Sequence, residues 1–166
     1  MRPMPDAHDV TPDDFKAALS HWASGVTVVT ATCPFGPVGM TVSAFASLSL
    51  EPPLITVALA RHAFSHDDLV AASGFAVHIL GDDESETSTR FASPGDRFAG
   101  LTWDVGRHEA PLLHAGIARL VCARHATFDG GDHTILVGRV EQVDVTSGEP
   151  VLYYRGAYRT LVPRGE

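Results

Sequence analysis

Basic residues are sparse and scattered in this chain: no two lysines or arginines are adjacent among its 166 residues, and the formal net charge is −8. Nucleic acids and anionic membranes bind through basic patches, so neither is expected as a main partner. Cysteine is scarcer still. Cys33 and Cys122 stand alone and far apart, with no Cys-x-x-Cys and no His-Glu-x-x-His. The pattern points to two free thiols in a reducing compartment, and no metal site is expected. No apolar run is long enough to span a membrane, and Met1–Asp9 carries prolines and acids where a secretory signal needs an apolar stretch. A cytoplasmic protein is expected, with residues 1–10 flexible and one domain over residues 11–163. The nucleotide signatures are missing too. There is no Gly-x-Gly-x-x-Gly between strand and helix, no Walker A loop and no Gly-x-Ser-x-Gly elbow. Any nucleotide this chain binds must sit on a β scaffold.

Hydrophobic residues make up 45% and charged residues 19%, which suits a globular domain with a full core. Thr11 caps a helix that has Pro12 in its first turn and Asp13 and Asp14 at the positive end of its dipole. Phe15, Ala18, Leu19 and Trp22 recur at helical spacing, and Gly25 is expected to end the helix. Val26–Ala31 is a β-branched strand, Cys33–Pro37 a turn and Gly39–Phe45 the second arm of a hairpin. Leu54–Ala60 reads as a central strand. Phe64–Ala72 reads as a short helix closed at Ser73 and Gly74, and Phe75–Leu80 as a further strand. Asp82 and Asp83 are expected to cap a helix running through Phe91, with a turn at Ser93–Asp96. Ile117–Phe128 and Thr134–Val143 flank a turn at Asp129–Asp132 and read as a hairpin, and Tyr153–Leu161 is a last extended segment. The fold expected is mainly β with short helices: an antiparallel barrel with helical decoration.

Four stretches carry candidate chemistry. Gly39–Leu54 places Thr41, Ser43, Ser47 and Ser49 in an otherwise apolar extended segment that stops at Pro52 and Pro53. Small hydroxyls and backbone amides suit a polar, phosphate-bearing ring system, and the segment reads as the wall of a flavin site; an edge strand with a polar outer face is the alternative. Arg61 and Ser65 follow a strand and open a helix, as an anion site does, or as a plain cap beside a surface arginine does. Gly131-Asp132-His133-Thr134 puts an imidazole on a glycine-rich turn, where it suits a nicotinamide carboxamide or simply solvent. Tyr153–Arg159 interleaves arginines with tyrosines, a pattern shared by ring-stacking sites and protein interfaces. The remaining histidines read as packing or surface residues. His62 and His66 stand four apart but have no third ligand beside them.

Taken together and in order, these pieces resemble the short-chain flavin reductases, the reductase components of two-component flavin monooxygenases. The resemblance rests on Phe15–Thr30, Gly39–Leu54, Ser73–Leu80, Gly131–Gly138 and Tyr153–Arg159, spread over residues 12–161. It implies an FMN-binding type of split β-barrel, a homodimer with flavin near the subunit interface, and hydride transfer from NADH or NADPH to FMN or FAD for a partner monooxygenase. Carried over by position, Thr41, Val42, Ser43 and Ala44 border the isoalloxazine, and Ser47, Leu48 and Ser49 line the ribityl–phosphate side. Arg61 and Ser65 meet the phosphate. His133, taken as the residue that orients the nicotinamide, and Tyr154, Arg155 and Gly156 meet the nicotinamide nucleotide. An amine-oxidising relative of pyridoxamine-phosphate oxidase and a non-catalytic flavin-binding protein are the alternatives. The chain departs from many relatives in His78, where they carry Asn, and in Ala63 and Phe64, where they carry Ser or Lys.

Overall fold

The computed structural model describes residues 9–162. The expected flexibility of residues 1–10 therefore falls, for residues 1–8, outside the described residues, as does residue 163 of the expected domain. A capping box opens the first helix, α1 (Pro12–Leu19): Asp14 N–H donates to Thr11 Oγ1, and Thr11 N–H donates back to the Asp14 carboxylate. The apolar spacing through Trp22 predicts a longer helix, but α1 stops at Leu19. Ser20 closes it, its hydroxyl donating to the Ala17 carbonyl. Ser24–Gly25, expected as the helix end, is a short strand, β1.

The predicted first hairpin forms from β2 (Thr27–Cys33) and β3 (Gly36–Val42). The following run breaks at Ser43–Ala44. β4 (Phe45–Leu50) then pairs with β5 (Pro53–Ala60) as a second hairpin. α2 (His66–Ala71), β6 (Gly74–Ile79) and α3 (Ser85–Ala92) come next. Asp82 and Asp83 do not cap α3. Glu84 holds the N-cap position, and its carboxylate accepts instead from the backbone N–H groups of Gly81 and Gly116. β7 (Trp103–Val105) and β8 (Pro111–Leu113) pair with each other. β9 (Ala118–Gly130) and β10 (His133–Val145) form the long predicted hairpin, with His133 as the first residue of β10. β11 (Leu152–Tyr154) and β12 (Ala157–Arg159) complete a small sheet with β1. No helix among the described residues is long and apolar enough to cross a membrane.

The main sheet has seven strands in the order β3-β2-β6-β9-β10-β5-β4, and every neighbouring pair is antiparallel. β3 and β4 are joined by Ser43 and Ala44 alone yet stand at opposite edges of the sheet. The sheet must therefore curl until its edges meet. Ala58 N–H donates to the Ala44 carbonyl at 2.9 Å and stitches the connection onto β5. The two edges share no ladder, so the barrel is split rather than closed.

Side-chain alternation on β5 sorts the two faces of the sheet. Ile55, Val57 and Leu59 are buried in the barrel with Val29, Phe75 and Leu136, while Thr56, Ala58 and Ala60 face the other way. Each fully buried aliphatic or aromatic side chain contributes roughly 2 kcal/mol of apolar burial. Gly138 of β10 lets the barrel close up: a Cβ there would stand 2.5 Å from Phe75 and 2.9 Å from Cys122. Cys122 is fully buried, and desolvation pushes its thiol up to about 12. A second cluster, Val28, Leu80, Phe91 and Phe98, fills the space between β2 and α3. Phe98 meets Phe91 and Trp103 edge-on, with ring centroids 5.2 Å apart in both pairs.

His78 lies in this packed region with no exposed surface. Its Nδ1–H donates to the Val28 carbonyl at 3.1 Å, and its Nε2 accepts from Leu113 N–H at 3.0 Å. Only the neutral ring with its proton on Nδ1 satisfies both partners. Burial accordingly holds the pKa down at about 4.

Candidate functional site

A row of small residues forms the floor of the site. Thr56, Ala58 and Ala60 project from β5 on the face opposite the core, and Ser43–Ala44 crosses beside them. Ile135 of β10 pairs with Ala58 and extends the same surface. Above this floor lies a cavity of about 590 Å³, closed on its far side by Trp22, Tyr153 and the Arg155–Gly156 turn. Its lining is mostly apolar with hydroxyls at Ser43 and Thr56, which is the chemistry a flat, partly polar ring system requires.

A second cavity, of about 750 Å³, adjoins on the same face. Thr41 lines it one alternate position before Ser43, and Ala60 lines it one alternate position after Ala58. Two residues along a strand is a step of about 7 Å, so the two cavities are neighbours along one groove. His62, Phe64, Phe91 and Arg97 supply the remaining walls.

The turn between β9 and β10 lines neither cavity; His133, the first residue after it, lies beside the groove through its pairing with β5. His133 pairs with Ala60 and shares its strand face with Ile135. Its Nδ1 lies 2.6 Å from the Asp132 carboxylate. A carboxylate only accepts, so Nδ1 carries the proton there and leaves Nε2 as the free nitrogen of the ring. The same hydrogen bond is the main cause holding the Asp132 carboxyl below its ordinary range. Behind the turn, His66 is buried and its Nε2 meets the Thr134 hydroxyl at 2.8 Å. That bond, from the residue next to His133, fastens α2 to the start of β10.

The structure brings some of the sequence-derived candidates together and separates others. Ser43 and Ala44 line the first cavity and Thr41 the second, although the Thr41 hydroxyl donates to the Ser88 carbonyl at 2.6 Å. Val42 does not face the groove; its side chain is buried in the barrel. Ser47, Leu48 and Ser49 lie along edge strand β4 beyond the first cavity, where a bulge between Ser47 and Ser49 leaves Leu48 exposed. Arg155 and Gly156 line the first cavity, but the aromatic partner there is Tyr153 and not Tyr154. Tyr154 sits instead beneath the Arg155 guanidinium, 5.4 Å from ring centroid to charge. Arg155 and Gly156 both have positive φ, 51° and 75°, the tight-turn geometry that glycine at the second position permits. Arg155 also meets His21 at the end of α1.

Arg61 and Ser65, the expected anion-site pair, each have protein partners in the structure. Arg61 donates to Asp129 and to the Gly131 carbonyl, both at 3.0 Å, and so braces the β9–β10 turn. Ser65 is buried, and its hydroxyl donates to the Gly39 carbonyl at 3.2 Å. The cation beside Ser65 is Arg97, at 2.8 Å. The sequence carries no signal for Arg97, which closes a polar turn. The small-residue floor is legible in the alternation from Leu54 to Ala60, which by itself indicates only a central strand.

Residues 19–162 match the family described as flavin reductase like domain. An NADH-dependent FMN reductase of Agrobacterium fabrum, SmoA, is 40% identical over 160 residues, covering 93% of this chain and 92% of that protein. The reductase component of a 4-hydroxyphenylacetate 3-monooxygenase from Thermus thermophilus is 41% identical over 149 residues, covering 89% of this chain and 95% of that one. Two other relatives are longer proteins, and this chain spans about half their length (48% and 49%). Among solved structures, the Streptomyces globisporus NADH:FAD oxidoreductase SgcE6, in complex with NAD and FAD fragments, superposes with a TM-score of 0.87. It is 34% identical, over 96% of this chain and all of that one.

Proposed function

Because this chain belongs to the flavin reductase like family, we propose that the groove across β5 and β10 binds flavin and NAD(P)H together and aligns them for hydride transfer. The protein is an NAD(P)H-dependent flavin reductase that supplies reduced flavin to a partner monooxygenase. When bound, the two cofactors supply the chemistry, passage of hydride from the nicotinamide to flavin N5. The residues of the chain bind, orient and exclude water.

The small-residue floor carries the reading. Thr56 and Ala58 leave room for a flat ring where backbone and hydroxyl groups of Ser43 and Ala44 are available to its polar edge. Ser47, Leu48 and Ser49 extend this wall along β4. His133, held by Asp132, presents Nε2 toward a carboxamide N–H, and Arg155 and Gly156 close the nucleotide side. Anaerobic mixing of the protein with FMN or FAD and each nicotinamide nucleotide tests this reading. Rapid bleaching of oxidised flavin is the expected result; bound flavin that no nicotinamide nucleotide bleaches would overturn it. The fastest pair identifies the preferred flavin and nucleotide.

His133→Ala is expected to raise the KM for NAD(P)H by about 3- to 10-fold, the worth of one hydrogen bond, and to spare flavin affinity. An unchanged KM in steady-state assays would remove His133 from the nucleotide site.

A homodimer accounts for the apolar surface around the groove. α1 buries none of its residues, and Phe15, Leu19 and Trp22 stand exposed, as do Leu48 and Leu50 of the β4 edge; Trp22 is 76% and Leu50 90% exposed. A second copy covering them would also wall the first cavity. Sedimentation equilibrium at micromolar concentration is expected to give twice the chain mass, and a monomer there would remove this reading. The cytoplasm, where NAD(P)H is held, is the compartment this function requires.

A further inference from the structure

We propose that Tyr158 is a positioning residue for the reaction, holding Tyr153 in place at the far wall of the first cavity, a role that rests on the flavin reading of the groove. β1, β11 and β12 form a sheet of their own that shares no ladder with the seven-stranded sheet. The place of Tyr153 is therefore set by what this small sheet touches. Tyr153 and Tyr158 are cross-strand partners on β11 and β12, and their rings meet edge-on with centroids 5.6 Å apart. Tyr153 lines the cavity. Of the two hydroxyls, only that of Tyr158 is bonded among the described residues: it donates to Ser88 Oγ at 2.8 Å.

Ser88 is a fixed point for two sides of that cavity. It lies on α3 with 1% of its surface exposed. Its carbonyl accepts from the Thr41 hydroxyl at 2.6 Å, and Thr41 stands two residues before Ser43, which lines the cavity beside the floor. One residue of α3 thus receives the floor side through its backbone and the aromatic wall through its side chain. Tyr158 is the link on the wall side. β11 is tied elsewhere, by its pairing with β1 and by Val151 N–H on the Leu80 carbonyl at 3.1 Å. The Arg155 turn is tied to the Ser20 carbonyl, also at 3.1 Å. For β12, the Tyr158 hydroxyl makes the only hydrogen bonds, among the described residues, to anything beyond β11. Thr89 is the poorer anchor: it lies 3.4 Å from the Tyr158 oxygen, and its own proton goes to the Ser85 carbonyl at 2.9 Å. Losing the bond to Ser88 frees β12, and with it the ring that braces Tyr153. A cavity that aligns two planar groups for hydride transfer is sensitive to its width, since a misplacement of about 1 Å costs on the order of 100-fold.

Anaerobic single-turnover reduction of bound FMN by the faster of NADH and NADPH reads the alignment, and equilibrium binding of FMN reads the cavity's hold on flavin. Tyr158→Phe keeps the ring against Tyr153 and removes only the hydroxyl. It is expected to slow hydride transfer by about 5- to 30-fold and to weaken the charge-transfer absorbance of the stacked nicotinamide and flavin. The Kd for FMN is expected to stay within about 2-fold and the melting temperature within a few degrees. Ser88→Ala, which retains the carbonyl for Thr41, is expected to match it, and the double variant to be no slower than either single one. Thr89→Ala is expected to stay within about 2-fold of wild type. Unchanged hydride transfer in Tyr158→Phe overturns the proposal. So does a slowing matched by equal loss of FMN affinity and a lowered melting temperature, which would make the residue structural. Additive losses in the double variant also overturn it. Should Tyr158→Phe fail to fold, Ser88→Ala carries the same comparison. Wild-type protein that binds no FMN, or whose bound FMN neither nucleotide bleaches, would overturn the flavin reading itself.

Discussion

Replacing Ala58 with phenylalanine is expected to abolish flavin reduction, with kcat/KM down about 100-fold or more and the melting temperature within a few degrees of wild type. The basis is strand parity. The side chain at position 58 faces the groove because Val57 and Leu59 on either side face the core, and a β-strand gives a new side chain no route to the other face. A phenyl ring there occupies the floor of the 590 Å³ cavity between Ser43 and Ile135. The Ala58 N–H bond to Ala44 uses only backbone and survives the change. Ala58→Ser, which adds one small atom, is expected to stay within about 3-fold of wild type. Steady-state assays beside thermal melts distinguish a blocked site from a lost fold. A phenylalanine variant with near wild-type turnover would show that flavin does not lie on this floor.

The second large effect concerns acid stability. His78 is neutral in the folded chain down to about 4, while an unfolded histidine takes up its proton near 6.5. Between those values the unfolded state binds more protons than the folded one, so stability falls as the pH falls through that window. The shift corresponds to a loss of about 3 kcal/mol by pH 4, an order-of-magnitude figure. His78→Asn binds no proton and is expected to remove this slope. It is also expected to cost about 1–2 kcal/mol at pH 7, because the shorter side chain leaves Leu113 N–H without its acceptor. The two proteins should therefore cross in urea denaturation between about pH 5 and 6 after differing at pH 7, with the variant the more stable below the crossing. Depressed carboxylates such as Asp129, Asp132 and Glu141 also lose their contribution on acidification, but only below their ordinary values of 3.8 for the aspartates and 4.5 for Glu141, at and beyond the acid end of the histidine window. Parallel pH profiles for the two proteins would refute the assignment.

Local signals gave the fold, and long-range ones were hidden. The Thr11–Asp14 capping box, the hairpin at Asp129–Asp132 and the alternation of β5 all lie within a few residues, where propensity and period act directly. α1 was overextended because Trp22 keeps the apolar period, whereas Ser20 ends the helix through its own backbone and side-chain bonds. The break at Ser43–Ala44 was invisible for a different reason. A continuous extended segment gives no sign that its halves join opposite edges of one sheet; only the curl of the whole sheet decides that. The same holds for the arginines. Nothing near Arg61 reveals that Asp129, 68 residues away, occupies it, and nothing near Arg97 reveals Gly39 or Ser65. The residue types of the site were legible, but their pairing was not.

Cys122 bears on how long such a protein survives its own work. Free reduced flavin reacts with dioxygen and yields hydrogen peroxide, so a supplier of reduced flavin operates next to an oxidant. Peroxide attacks thiolates, and the first step of the cysteine oxidation ladder needs both that anion and access to it. A thiol with no exposed surface, pushed up to about 12, offers neither. Cys122, buried beside Phe75 and Gly138, is thus shielded from thiol oxidation, and the more accessible of the two thiols is Cys33 at the end of the β2–β3 hairpin.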